Sequence, residues 1–164
     1  MSRPILAVDI DGVISLFGFE EPPPETRFEL VDGVMHCISL RAGERLRRLG
    51  EHFELVWASG WEDKANYYLP TALGLPELPH LSFGRDARAG SAHWKLEPLA
   101  AYCRGRALAW VDDNLDSSCH EWARERAEPT LLVPTESRRG LEEAETEALI
   151  AWARDLRKPA SPVL

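Results

Sequence analysis

The 164 residues are 45% apolar and 28% charged, which is ordinary for a folded globular domain and too apolar for a disordered chain. The formal net charge of −8 argues against an extensive nucleic-acid surface, because such surfaces use Lys and Arg to neutralise phosphates. The longest apolar runs are about five residues, far short of the ~20 that cross a bilayer, and the strand-like run after Pro4 leaves no space for a signal peptide. We therefore expect a cytoplasmic protein with no membrane contact, formed by a single domain over 1–158 and a frayed tail over 159–164.

The first part of the chain predicts a buried strand followed by a small hairpin. Pro4 to Val8 is a β-rich apolar run. Residues 20–25 are rich in proline, which lacks the amide donor that a helix or a central strand needs, so we expect a surface loop there. Phe28 to Ser39 then alternates loosely around Asp32-Gly33, a dipeptide favoured in tight hairpin turns.

The rest of the chain alternates strands with helices. Apolar runs predict further strands at Phe53 to Ala58, Ala107 to Val111 and Thr130 to Val133, with a weak strand near His80 to Phe83. Helical spacing predicts helices at Leu40 to Leu49, Glu62 to Leu73, Trp94 to Cys103, Ser117 to Ala127 and Leu141 to Leu156. Such alternation is typical of a parallel sheet covered on both faces. The predicted fold class is therefore α/β, a doubly wound parallel sheet with a small hairpin flap.

Polar residues follow three of the predicted strands. They are Asp9 and Asp11 after the first, Ser59 and Gly60 after the second, and Asp112 and Asp113 after the third. In open α/β sheets, ligands bind outside the carboxyl ends of the strands, so we expect these residues to converge on one site. Lys95, at the start of a predicted helix, is a further candidate member.

The carboxylates of this set suit a hard cation. Magnesium prefers oxygen ligands and typically takes one or two protein carboxylates together with phosphate oxygens. Asp9 and Asp112 are candidate ligands. Clustered carboxylates repel one another and raise some of their own pKa values unless a cation lies among them, so a metal explains how they coexist.

The same residues suit phosphoryl transfer. A carboxylate such as Asp9 can attack phosphorus and form an aspartyl-phosphate, which divides hydrolysis into two easier steps. Asp11, two residues further on, can act as general acid and then as general base for water. Ser59, the Gly60 amide and Lys95 can stabilise the oxygens of the transferring group.

In their order along the chain, these residues resemble the four motifs of the haloacid dehalogenase superfamily. The resemblance covers about residues 3 to 135 and implies a Rossmann-like fold and a magnesium-dependent phosphohydrolase that acts on phosphomonoesters. It also implies individual roles: Asp9 as nucleophile and metal ligand, Asp11 as acid/base and as magnesium ligand through its backbone carbonyl, Ser59, Gly60 and Lys95 on the phosphate, and Asp112 with Asp113 on the metal.

Some positions depart from the family pattern. Val13 stands where many members have Thr, and Asp116 is a rival to Asp113 as the second acid of the metal site. Members usually carry a cap domain, whereas only the hairpin region and residues 61–94 are available here. We therefore expect no large cap domain, which in this family is often associated with a large phosphorylated substrate or with help from another subunit.

Taken singly, the site residues also fit ordinary structural roles. Ser59 fits a helix cap, Lys95 a solvated surface lysine, and Asp112-Asp113 a turn. Trp61 directly follows the predicted phosphate loop and is a candidate to line the pocket. Four of the five histidines show no ligand spacing and are assigned no function: His36, His52, His80 and His120. The fifth, His93, is a weak competitor for the role of Lys95.

Other functions use similar residues. A dehalogenase also needs an Asp nucleophile, but members of that kind generally lack the second acid that Asp11 supplies. A phospho-accepting module would keep a long-lived phosphate on Asp9, and a non-catalytic binding or regulatory module would retain the fold and bind magnesium without turnover.

Overall fold

The computed structural model describes residues 2–84 and 91–161. Its strands are β1 Ile5–Val8, β2 Ser15–Leu16, β3 Thr26–Val31, β4 Val34–Ser39, β5 Glu54–Trp57, β6 Leu108–Asp112 and β7 Thr130–Pro134. Its α-helices are α1 Leu40–Leu49, α2 Ala65–Leu73, α3 Leu96–Tyr102, α4 Ser117–Glu125 and α5 Glu143–Leu156. In these ranges no helix combines the length and the apolar character needed to cross a membrane.

The central feature is a four-stranded parallel sheet with the order β5-β1-β6-β7. All four strands were predicted as buried apolar runs, and the α/β class is confirmed. The weak strand expected near His80 to Phe83 is reduced to a single parallel bridge between His80 and Trp57 at the β5 edge of the sheet. Its neighbours Pro79 and Leu81 hydrogen-bond the backbone of Trp57 at 2.9 Å each.

Helices flank both faces of this sheet. Because successive side chains of a strand point to opposite faces, β1 contributes to two separate hydrophobic clusters. Leu6 and Val8 join the cluster that includes α1, α2 and α5, whereas Ile5 and Ala7 join the cluster that includes α3 and α4. All four side chains are fully buried, so β1 forms the centre of the core and Asp9 leaves it at a fixed point.

The segment between β1 and α1 forms a three-stranded antiparallel flap with the order β2-β4-β3. The predicted hairpin is confirmed: β3 pairs with β4, and the turn places Asp32 at φ 49° and Gly33 at φ 81°. Positive φ at both central residues is the turn geometry that matches strand twist. The short strand β2, which pairs with β4, was not predicted.

Helix starts differ most from the sequence prediction. Two predicted helices begin with 3₁₀ turns, at Glu62–Lys64 and Ala92–Lys95, before α2 and α3. Helix α5 begins after Glu142, which forms a reciprocal capping box with Glu145. Of the tail predicted to fray, residues 162–164 lie outside the described part of the chain.

Candidate active site

Three adjacent parallel strands bring the predicted polar residues to one rim of the sheet. β1 lies between β5 and β6. Asp9, directly after β1, donates its backbone amide to the carbonyl of Val111 in β6 at 3.0 Å. Ser59 follows β5 by two residues, and Asp112 is the last residue of β6. The exposed fractions of Asp9, Ser59 and Asp112 are 6%, 1% and 0%, so the rim is closed to bulk water at its base.

Lys95 reaches this rim from the 3₁₀ turn before α3. Its Nζ lies 2.9 Å from Oδ1 of Asp9 and 2.6 Å from Oδ2 of Asp112, and its side chain is almost fully buried. Burial by itself would lower the pKa of Lys95, but the carboxylates of Asp9 and Asp112 outweigh it and raise that pKa. Lys95 is therefore not a solvated surface lysine but a buried cation shared by two acids.

Asp9, Asp112 and Asp113 form a carboxylate cluster, in which each offers an oxygen within 4.8 Å of the others. Burial raises the pKa of Asp9 well above its usual range; the Lys95 ammonium offsets part of this rise, and the Asp112 carboxylate adds to it. Burial and the Asp112 carboxylate also raise the pKa of Asp113. One ammonium faces three carboxylates, so the cluster carries surplus negative charge that a bound cation would relieve.

The backbone of Gly12 makes room for Asp113. Gly12 has φ 81°, and a Cβ at this position would lie 2.0 Å from Oδ2 of Asp113. Thr135, just after β7, donates its hydroxyl to the Gly12 carbonyl at 2.8 Å and its amide to the Asp112 carbonyl at 3.2 Å. A glycine is thus required here both by its backbone angle and by contact, and Thr135 ties the two acidic loops together.

Ser59 and Gly60 occupy the turn after β5. The amide of Trp61 donates to Oγ of Ser59 at 3.2 Å, a local turn contact typical of serine. Since the hydroxyl oxygen accepts this bond, its O–H remains available to donate to a ligand. Both residues line the same cavity as the carboxylate cluster, but a contact with phosphate stays a prediction.

Asp11 stands apart from the carboxylate cluster and faces the flap. Its side chain is 53% exposed. Oδ2 accepts a hydrogen bond from Nε1 of Trp61 at 3.2 Å, and Oδ1 lies 3.6 Å from Nδ1 of His36, which is 2.8 Å from Oγ of Ser15. The sequence suggested that Trp61 lines the pocket. Trp61 instead contacts the acid itself and is not among the described residues that line the cavity.

Asp116 has a different role from the cluster. It is the N-cap of α4, where Oδ1 accepts the amide of Cys119 at 3.1 Å, and its carboxylate also accepts the hydroxyls of Ser91 and Ser118. These hydrogen bonds lower the pKa of Asp116. Of the two rival acids, Asp113 is the one that lies with Asp9 and Asp112.

A cavity of about 190 Å³ unites the predicted site residues. It is lined by Asp9, Asp11, Ser59, Gly60, Lys95, Asp112 and Asp113, together with Phe17, Ser91, Ala92, Trp94 and Asn114. Its volume is below the ~300–1,000 Å³ of typical sites for drug-sized ligands, so it suits a small group and an ion. A larger groove of about 610 Å³, lined by residues such as Arg3, Phe53 and Tyr102, lies near the amino ends of the strands, away from these carboxylates.

Several residues near the site were not singled out from the sequence. Thr135 had a usable signal, because it directly follows a predicted strand as the other site residues do. Phe17, Trp94 and His36 had none: Phe17 follows the unpredicted strand β2, Trp94 was included only as the start of a helix, and His36 has no ligand spacing. These residues lie near the site because of how the flap and the 3₁₀ turn pack. The spacing of apolar and polar residues in the sequence does not predict that packing.

Comparisons of the chain with protein-family models and with curated proteins gave no match.

Proposed function

We propose that this protein is a magnesium-dependent phosphohydrolase that cleaves phosphomonoesters through an aspartyl-phosphate on Asp9. The observation that carries the proposal is the cluster of buried Asp9 and Asp112 with half-buried Asp113, at the carboxyl ends of adjacent parallel strands and with Lys95 between Asp9 and Asp112. Such a cluster has no evident structural purpose, since burial, together with the Asp112 carboxylate, raises the pKa of Asp9 and Asp113.

The donor set fits a hard divalent cation. It offers carboxylate oxygens and contains neither cysteine nor histidine, and magnesium prefers oxygen ligands. We assign Asp9, Asp112, Asp113 and the backbone carbonyl of Asp11 as the residues that would hold it. When bound, magnesium would neutralise charge on the phosphoryl oxygens and keep the clustered carboxylates ionised.

In the proposed reaction each residue of the site has a separate role. In the first step an Asp9 oxygen bonds to phosphorus, the bond from phosphorus to the leaving oxygen breaks, and Asp11 gives its proton to that oxygen. In the second step water attacks phosphorus, Asp11 takes a proton from it, and the bond to Asp9 breaks, which restores the carboxylate. Lys95, Ser59 and the Gly60 amide supply positive charge and donors for the phosphoryl oxygens.

The topology supports the finer assignment to a fold of the haloacid dehalogenase type. The sheet has its first strand at the centre, and the proposed motifs follow β1, β5 and β6, with Lys95 entering from the turn before α3. The insertion after β1 is a three-stranded flap. The cavity of about 190 Å³ would enclose the phosphoryl group, and a larger leaving group would extend outward past Phe17.

The proposal is tested by turnover of 4-nitrophenyl phosphate and of a panel of sugar phosphates, nucleotides and phosphopeptides, with magnesium and with a chelator. We expect turnover by the wild type only with magnesium, and a loss of about 10³-fold or more in Asp9→Asn, because the nucleophile is removed. Asp116→Asn is the matched control: it makes the same change in charge at a helix cap, where Asn serves equally well.

Trapping of the phosphoenzyme separates the alternatives. Transient phosphate on Asp9 with turnover supports the hydrolase, and a long-lived phosphate favours a phospho-accepting module. Magnesium binding without turnover of any ester favours a non-catalytic module. Turnover by Asp9→Asn at the wild-type rate would remove Asp9 from its role and end the proposal.

A further inference from the structure

We propose that Trp61 is a positioning residue for the general acid: its indole N–H fixes the orientation of the Asp11 carboxylate beside the cavity. The role rests on the proposed function, in which Asp11 protonates the leaving group. The sequence suggested only that Trp61 lines the pocket, and the contact with Asp11 comes from the geometry of the fold.

The geometry joins a rigid donor to an exposed acid. Trp61 is 8% exposed, whereas the Asp11 side chain is 53% exposed and would otherwise be free to change rotamer. The indole Nε1 lies 3.2 Å from Oδ2 of Asp11. The ring is held from the flap by His36, edge to face at 4.7 Å, and the Trp61 backbone is held by Ser59 at 3.2 Å. The buried ring of Trp61, restrained by these two contacts, thus holds the exposed carboxylate of Asp11.

The chemistry of indole makes this contact directional. Indole N–H only donates, so Oδ2 accepts from Trp61 whether Asp11 is ionised or protonated. The contact therefore engages Oδ2 with Trp61 and leaves Oδ1 available to the leaving group.

The need of a buried indole N–H for a hydrogen-bond acceptor does not by itself explain the contact between Trp61 and Asp11. Nε1 of Trp57 and Nε1 of Trp110 are buried and have no hydrogen-bond partner within residues 2–84 and 91–161, so this fold tolerates unpaired indoles. Trp61 differs in that its donor is aimed at a half-exposed acid beside the cavity.

The test measures kcat/KM for phosphomonoesters whose leaving groups range from 4-nitrophenol to a simple alcohol. This ratio covers the steps up to phosphoenzyme formation, so the common hydrolysis of the intermediate does not enter it. A nitrophenolate leaves without a proton, whereas an alkoxide needs one. We expect Trp61→Phe to leave kcat/KM for 4-nitrophenyl phosphate within about twofold of wild type and to lower it for the alkyl ester about tenfold or more.

Trp152→Phe is the matched control, because Trp152 is a half-buried tryptophan of α5 that stacks on Phe53, away from the cavity. It should leave the dependence on leaving group unchanged, and Asp11→Asn should steepen that dependence in the same direction as Trp61→Phe. If Trp61→Phe loses the same fraction of kcat/KM for every ester, the positioning role is wrong. The proposed function is judged separately, by the loss of turnover in Asp9→Asn. Absence of magnesium-dependent turnover in the wild type would overturn both.

A second measurement holds even if Trp61→Phe fails to fold. Asp11→Ala removes the acceptor from an exposed side chain, so one indole N–H resonance should move in the ¹⁵N–¹H spectrum of the folded variant. If no indole resonance moves, the hydrogen bond is absent in solution and the inference is wrong.

Discussion

Asp113 and Asp116 are three residues apart, yet the fold treats them in opposite ways. Asp116 caps α4 and accepts bonds from one amide and two hydroxyls, which lowers its pKa. Asp113 lies against Asp9 and Asp112, and burial raises its pKa. Both acids belong to the same loop region between β6 and α4.

Asp116 stabilises the fold, whereas the clustered acids Asp9, Asp112 and Asp113 lower its stability. A cap contributes favourable free energy because its charge is matched by donors. The cluster of Asp9, Asp112 and Asp113 has more charge than Lys95 can match, so it persists only because the surrounding sheet fixes it. Residues held in this way are candidates for binding and catalysis.

The largest expected effect comes from removal of the ammonium inside the cluster. Lys95→Met leaves Asp9 and Asp112 buried without a partner and should lower the free energy of unfolding by about 3–5 kcal/mol, measured in urea without magnesium. Magnesium should restore part of the loss. Lys64→Met is the control, because Lys64 pairs with Asp32 in an exposed position, and this variant should cost much less stability than Lys95→Met. Equal losses in the two variants would refute the contrast.

A smaller effect is expected where the backbone makes room for Asp113. Gly12→Ala should cost about 1–2 kcal/mol for its left-handed conformation, and it should also weaken magnesium binding, because a Cβ would displace Asp113. Gly33→Ala is matched to it, with the same φ of 81° but no atom within 4 Å of the added Cβ. It should show the stability loss alone. Calorimetric titration with magnesium distinguishes the two, and unaltered binding in Gly12→Ala would exclude Asp113 as a ligand.

Loss of the cap is expected to be smaller still. Asp116→Ala should lower the free energy of unfolding by about 1 kcal/mol because Cys119 loses its acceptor, and Asp116→Asn should recover most of it. Thermal unfolding measures both. Neither variant should change the affinity for magnesium, so a large loss of affinity in Asp116→Asn would return Asp116 to the metal site in place of Asp113.

The smallest expected effect is a difference in pH dependence, since Lys95 offsets part of the change at Asp9. The raised pKa of Asp9 means that the folded state binds its proton more tightly than the unfolded state, so this group costs stability as pH rises from about 4 through its folded pKa. Asp116, with a lowered pKa, stabilises above about 4 and loses that contribution as pH falls.

Unfolding without magnesium across pH 4 to 8 should therefore show Asp9→Asn gaining stability relative to wild type as pH rises. Asp116→Asn should keep a nearly constant difference from wild type over this range, because the contribution of Asp116 changes only as pH falls below about 4. Parallel pH profiles for the two variants would show that the two acids do not differ as described.

The sequence predicted the strands of the sheet and the residues at their ends, because buried parallel strands are continuous apolar runs and their carboxyl ends share one edge. It could not decide between Asp113 and Asp116, since both follow the same strand closely. The decision comes from Gly12 and Ser91, which lie far away in the sequence and contact one acid each.

The contacts of the Asp11 side chain could not be predicted from the sequence either. Trp61 was singled out for its position after Ser59-Gly60, but its hydrogen bond depends on the side-chain direction at the start of a 3₁₀ turn that the helical pattern did not reveal. His36 meets Asp11 only because β4 pairs with the unpredicted strand β2. Spacing rules locate strand ends, whereas contacts between a flap and a loop depend on packing.

The most direct test of the central claim is anomalous scattering from crystals grown with manganese as a substitute for magnesium. We predict one peak in contact with carboxylate oxygens of Asp9, Asp112 and Asp113, and none at the cap formed by Asp116. The absence of a peak at the cluster at saturating manganese, or a peak elsewhere on the chain, would contradict the shared-cation site from which the proposed chemistry follows.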